Sequence, residues 1–235
     1  MAKTILMTNM QLFGWALKAA ALLLGFKQQP QQQVTELSQK DVALINLKQK
    51  PGAVTVVLGS RDTGKTELCY RLAEFLDRPT FAVSPQQKPP NWITWIREIN
   101  DIFTKVPPDS TLLLDDLPAY MSNKDYAEAF ARSVEKVIPM VRHDPMPPDF
   151  PIGRCQLIFS SQSAAQADRY ILDCDMAFLK PLGLLMPDIE RPNIARIYKS
   201  MVDPEFEGKD DFFIKTHAFM VSRTYKGLIT FKKVG

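Results

Sequence analysis

Gly59, Ser60, Arg61, Asp62, Thr63, Gly64, Lys65 and Thr66 stand in the order G-x-x-x-x-G-K-T, a spacing that serves nucleotide phosphates. The two glycines allow a sharp turn and a close approach that a Cβ would obstruct. Loop N–H groups and the first turn of a following helix then cradle the phosphates. Lys65 would reach the β- and γ-phosphates, and the Thr66 hydroxyl would bind Mg²⁺. Asp62 is unusual, an acidic residue beside an anion site. It either caps the helix or weakens nucleotide affinity. A second cluster follows where the apolar run 111–114 ends in Asp115 and Asp116. A buried strand ending in a carboxylate is the Walker B form, so Asp115 would hold Mg²⁺ directly or through water. Asp116 is then the candidate base for an attacking water. Gln162 follows a third apolar run, 155–160, where a polar side chain could touch the γ-phosphate or that water. ATP and Mg²⁺ are the cofactors this set requires.

These residues need rigid supports. The run 53–58 is apolar and β-branched, the form of a buried strand, and 67–77 has helical spacing through Leu68, Leu72, Phe75 and Leu76. Further strands are expected at 79–84, 111–116, 155–160 and 176–179. The spacing of Trp92, Trp95, Ile96, Ile99 and Phe103 predicts a helix over 92–103. A long amphipathic helix is expected over 123–141, closed by Arg142 and His143, and a shorter one from a Ser163 cap to Leu172. Beyond these lie a short alternating strand at 195–199, a charged loop at 203–211, and a C-terminal β-hairpin with strands 219–224 and 228–231. Lys209, Lys215, Arg223, Lys226, Lys232 and Lys233 make this end basic. A solvated sheet edge and a DNA-backbone contact both fit that charge.

The chain has 235 residues, 46% of them hydrophobic, enough for one α/β domain with additions. A net charge of +3 permits a local nucleic-acid track without requiring one. Three cysteines without metal-type spacing read as reduced, buried thiols of an intracellular protein. Two histidines are too few for a histidine-rich metal site, and no Ser/His/Asp pattern stands out. Residues 12–26 form an apolar run containing Lys18, shorter than the ~20 residues that span a bilayer. A helix packed on the body or a partner subunit, a membrane-surface helix and an anchor all remain open there. No small-residue cleavage site follows, so secretion is not expected. The glutamine-rich run 28–33 reads as a linker. The expected division is 1–33 as apolar helix and linker, 34–200 as ATPase core, and 201–235 as a C-terminal hairpin extension.

Walker A, the Asp115-Asp116 pair, a long helix ending in Arg142-His143 and a strand leading to Gln162 occur in that order. This set resembles the HerA/FtsK superfamily, and within it the genome-packaging ATPases of tailless, membrane-containing double-stranded DNA viruses. The resemblance spans roughly 54–179. It implies an additional-strand P-loop NTPase whose mostly parallel five-stranded sheet has the order 5-1-4-3-2, flanked by helices. It also implies a homo-oligomeric ring, a hexamer or pentamer, that couples ATP hydrolysis to translocation of double-stranded DNA into a preformed capsid. An arginine acting across the subunit interface belongs to that picture, with Arg142, Arg154 and Arg169 as candidates. Capsid-vertex or membrane proteins would be partners, and a membrane surface would be a further contact through 12–26. The viral particle or host cytoplasm would be the location. Asp62 in the loop and Asp116 where glutamate is common depart from the pattern and bear on hydrolysis rate. A membrane-associated secretion or assembly ATPase, similar to the zonula-occludens-toxin-like phage proteins, and a nucleotide-binding module without hydrolysis are the alternatives.

Overall fold

In the computed structural model, residues 37–84, 88–98, 101–115, 141, 152–162, 173–183 and 192–231 are described. The elements lie in the unit Ser38–Gly235. In chain order they are α1 (Gln39–Gln49), β1 (Val54–Leu58), α2 (Lys65–Leu76), β2 (Thr80–Val83), β3 (Thr94–Ile96), α3 (Ile102–Lys105) and β4 (Thr111–Leu114). Then come β5 (Gln156–Ser161), β6 (Met176–Leu179), α4 (Pro192–Ile197), a π-helical turn (Tyr198–Val202), α5 (Asp203–Phe206), α6 (Asp211–Thr216), β7 (His217–Val221) and β8 (Lys226–Thr230).

Among the described residues the strands form one eight-stranded sheet of order β3-β2-β4-β5-β1-β6-β7-β8. This corrects the expected five-stranded sheet of order 5-1-4-3-2. Three strands join it: β3 at one edge, β7 and β8 at the other. The five expected strands are β6, β1, β5, β4 and β2, neighbours in that sequence and all parallel. β7 pairs antiparallel with β6 and with β8, so the C-terminal hairpin continues the sheet. Its strands begin about two residues earlier than the pattern of 219–231 implies.

The central parallel strands β1, β4 and β5 are fully buried and mostly apolar because both faces are covered. Val54, Val56 and Leu58 of β1 point into one core with Phe159, Leu114, Tyr198, Val202 and Phe206. Val57 points the other way, with Ile158, Phe178 and the Leu68, Cys69, Leu72 face of α2. The thiols of Cys69 and Cys155 are buried, and burial pushes Cys155 up to about 11.

Two local expectations fail. Residues 94–96 form an edge strand, not part of a helix over 92–103. Pro89 and Pro90 precede it, and Thr94, Trp95 and Ile96 are strand-favouring types that pair with Phe81, Ala82 and Val83. Trp95 is fixed by its indole N–H, which donates to the Ser84 carbonyl at 3.2 Å. Residues 195–199 are helical, not a strand, and 203–206 of the expected loop are helical as well. The residues that decide this are Tyr198, Val202 and Phe206, four apart and buried on one face. Pro204, which has no N–H to give, is the second residue of α5, two positions after the widened π-helical turn ends. Helices expected over 123–141 and 164–172 lie outside the described residues, except for Val141, which is buried.

Candidate functional site

The phosphate-binding motif sits where a parallel sheet places it, between the C-terminal end of β1 and the first turn of α2. Each part is fastened to a neighbouring strand. The Gly59 N–H donates to Ser161 at the end of β5, at 3.2 Å. The Ser60 N–H and hydroxyl both reach the Pro181 carbonyl just beyond β6, at 2.9 and 3.0 Å. Within the loop, the Thr63 hydroxyl and the Lys65 ammonium donate to the Ser60 carbonyl at 2.8 and 2.7 Å. Arg61 and Asp62 face solvent, and Thr63 is buried.

Both motif glycines are required by close contacts. A Cβ on Gly59 would lie 2.7 Å from Lys180 Cβ, and one on Gly64 would lie 2.8 Å from the Lys215 carbonyl. Gly64 also has φ +81°. It is the N-cap of α2 and carries no side-chain cap. Asp62 is therefore not the cap. Its φ of 60° puts it in the left-handed region, which Asp tolerates better than most L-residues.

Asp115 directly follows β4, two strands from β1, and is buried. Its carboxylate accepts from the Thr66 hydroxyl at 3.0 Å. It also accepts from the Ser160 hydroxyl at 2.5 Å. Ser160 lies on β5, the strand inserted between β1 and β4, and is fully buried. The structure thus brings together Lys65, Thr66 and Asp115, with Ser160 holding the carboxylate in place. A buried carboxylate opposite a hydroxyl, beside a glycine loop with phosphate-binding spacing, fits a hard cation. Such a site needs few protein ligands, because phosphate oxygens and waters complete the shell of Mg²⁺. Among the described residues, no group of three or more His, Cys, Asp or Glu is placed to hold a metal ion.

Gln162 directly follows β5, half-buried, next to the Ser161 carbonyl that receives the Gly59 N–H. Asp116, Arg142 and Arg169 lie outside the described residues. Arg154 is at the other end of the sheet, before β5, where it donates to Asp109 at 3.0 Å. Residues 12–26 are also outside the described residues, and no described helix is long and apolar enough to cross a membrane.

Lys180 is the residue that motif reading passes over. It follows β6 and is fully buried. Its ammonium donates to the carbonyls of Thr63 at 2.6 Å, Ile214 at 2.8 Å, His217 at 2.9 Å and Lys215 at 3.3 Å. Burial, and next the Lys65 charge, pull it down to about 7, and four carbonyl acceptors oppose loss of the proton. The one available signal was a lysine directly after the apolar run 176–179.

No protein-family model and no curated protein matches this chain. Among solved structures, it overlaps the RuvB Holliday junction branch migration motor of Thermotoga maritima at 14% identity and a TM-score of 0.39, over 74% of this chain and 52% of that one. It overlaps the cytoplasmic domain of the type VII secretion ATPase EccC of Thermomonospora curvata at 13% identity and a TM-score of 0.45, over 78% and 24%. A DNA polymerase III gamma subunit-related protein of Thermotoga maritima gives 12% and 0.36, over 72% and 51%. The chain spans about a quarter to a half of the length of these structures. Its own geometry, a strand, glycine loop and helix facing a carboxylate two strands away, is that of a P-loop NTPase-type α/β fold.

Proposed function

We propose that this protein is a Mg²⁺-dependent ATPase that drives double-stranded DNA into a preformed viral capsid as a homo-oligomeric ring. The observation that carries the ATPase part is the Thr66 hydroxyl 3.0 Å from the buried Asp115 carboxylate, at the mouth of a glycine loop. Thr66 and Asp115 would hold Mg²⁺, which when bound neutralises developing phosphate charge. Lys65 binds the β- and γ-phosphates, and the N–H groups opening α2 orient them. Ser160 keeps Asp115 in one rotamer. Asp116 and Gln162 position the attacking water, and an arginine from a neighbouring subunit completes the site. The DNA-packaging part is supported by the motif order that resembles the packaging ATPases. The basic residues of the C-terminal hairpin are the candidate contacts to the DNA backbone.

ATP hydrolysis with and without double-stranded DNA tests both parts. DNA should stimulate the wild-type rate, and Lys65→Ala should abolish it. Hydrolysis indifferent to DNA removes the translocase and leaves the ATPase. The apolar run 12–26 favours a second reading, a membrane-associated secretion or assembly ATPase. Stable membrane fractionation that depends on 12–26, together with no DNA binding, would select it.

A further inference from the structure

Lys180 is a buried ammonium whose hydrogen-bond partners are main-chain carbonyls. Among the described residues no carboxylate neutralises it, and the Phe231 ring lies 4.7 Å from Nζ. A cation whose hydrogen bonds all go to backbone organises that backbone, because each carbonyl it collects loses its freedom to turn. Two separate segments are collected here. One is the phosphate-binding loop, through Thr63. The other is 214–217, the end of α6 and the start of β7, whose last helical carbonyls have no partner inside the helix.

The Thr63 contact has a directional consequence. In a trans peptide the carbonyl and the next N–H point opposite ways. Drawing the Thr63 carbonyl in toward Lys180 turns the Gly64 N–H outward, to the side where phosphates bind. The same segment is pressed on Gly64 itself, as the Lys215 carbonyl occupies the space of its missing Cβ. Pro181, next in sequence, takes both donors of Ser60. The stretch after β6 therefore sets the loop at both its first and its last half.

We propose that Lys180 is a positioning residue for nucleotide binding, which fixes the phosphate-binding loop and the C-terminal segment 214–217 as one unit and so couples the C-terminal hairpin to the nucleotide site. The proposal rests on the nucleotide-binding reading above. It gives the hairpin a route to the site through the main-chain carbonyls of 214–217 and the Phe231 ring, so whatever engages β7 and β8 shifts loop order.

Amide exchange of 59–66 and 214–217 without nucleotide, and binding of a fluorescent ATP analogue with Mg²⁺, are compared in the wild type and Lys180→Met. Exchange should quicken in both segments together, and affinity should fall about tenfold, the scale of a lost charged hydrogen bond. Lys65→Ala should weaken binding while leaving 214–217 protected. Quickening in only one segment, or affinity kept within about twofold, overturns the proposal. A wild type that binds no nucleotide defeats the nucleotide reading, while the exchange comparison still decides the coupling. Where Lys180→Met does not fold, the wild type answers alone. The nucleotide must then slow exchange at 214–217 as well as 59–66, since coupling is reciprocal, and slowing at 59–66 alone overturns the proposal.

Discussion

Asp62 occupies a position whose backbone, at φ 60°, favours glycine. Its place is explained by conformation more than by charge, because Asp is among the few L-residues that visit this region readily. Asp62→Gly should fold normally and tighten ATP binding, since it removes a carboxylate from the phosphate side. Asp62→Val should lose about 1–2 kcal/mol in denaturant unfolding, as a β-branched residue resists the left-handed region. Lys180 makes a second prediction at this scale. Its value in the fold, about 7, is below its ordinary 10.5, through burial first and Lys65 second, with Cys69 acting the other way. Between those two values the unfolded chain holds more protons, so stability rises with pH across that window. The cost of burying the charge is fully present below about 7 and is relieved above it. A pH series of unfolding midpoints should show the wild type gaining on Lys180→Met from pH 7 to 9. A constant difference would contradict the shift.

At the scale of elements, one buried side chain collects most of the carbonyls at the end of α1. Gln156, buried at the start of β5, donates through Nε2 to the carbonyls of Leu47, Lys48 and Lys50 at 2.9 to 3.1 Å. Gln156→Leu leaves helix-end carbonyls without that partner and should cost about 1–3 kcal/mol of stability. Nucleotide affinity should hold, because the loop lies at the opposite end of the strands. The central strands were legible in the sequence for a simple reason. Burial on both faces makes them mostly apolar runs, and β1, β2, β4, β5 and β6 stand out in the sequence on that basis. The stretch 92–103 misled because Trp92, Trp95 and Ile96 also fit helical spacing, and the pairing with β2 that decides the matter is not local. The stretch 195–199 misled because five alternating residues hide the longer period of Tyr198, Val202 and Phe206. Lys65, Thr66 and Asp115 were legible through motif spacing. Ser160 and Lys180 were not, since each acts on a group 45 or more than 100 residues away, and a partner carbonyl leaves no mark in side-chain sequence.

For the whole molecule, the two cores on either side of one sheet make the loop part of the same cooperative body as α2 and the strands. A ligand bound only by that folded body stabilises all of it, by about 2.7 kcal/mol at a hundred times its Kd. Mg²⁺–ATP should therefore raise the midpoint of thermal unfolding in the wild type. It should do so much less in Lys65→Ala at the same concentration, and equal shifts would place the bound nucleotide elsewhere.

The hairpin's attachment to β6 bears on how this protein can be cut. A chain ended near residue 200 would keep every residue of the nucleotide motifs, yet it would bare the free side of β6 as a hydrophobic edge open to pairing with other chains. It would also strip Gly64 and Lys180 of the backbone they rest on. Such a fragment invites aggregation and a loosened loop, so a catalytic core drawn from motifs alone is smaller than the piece that can stand by itself.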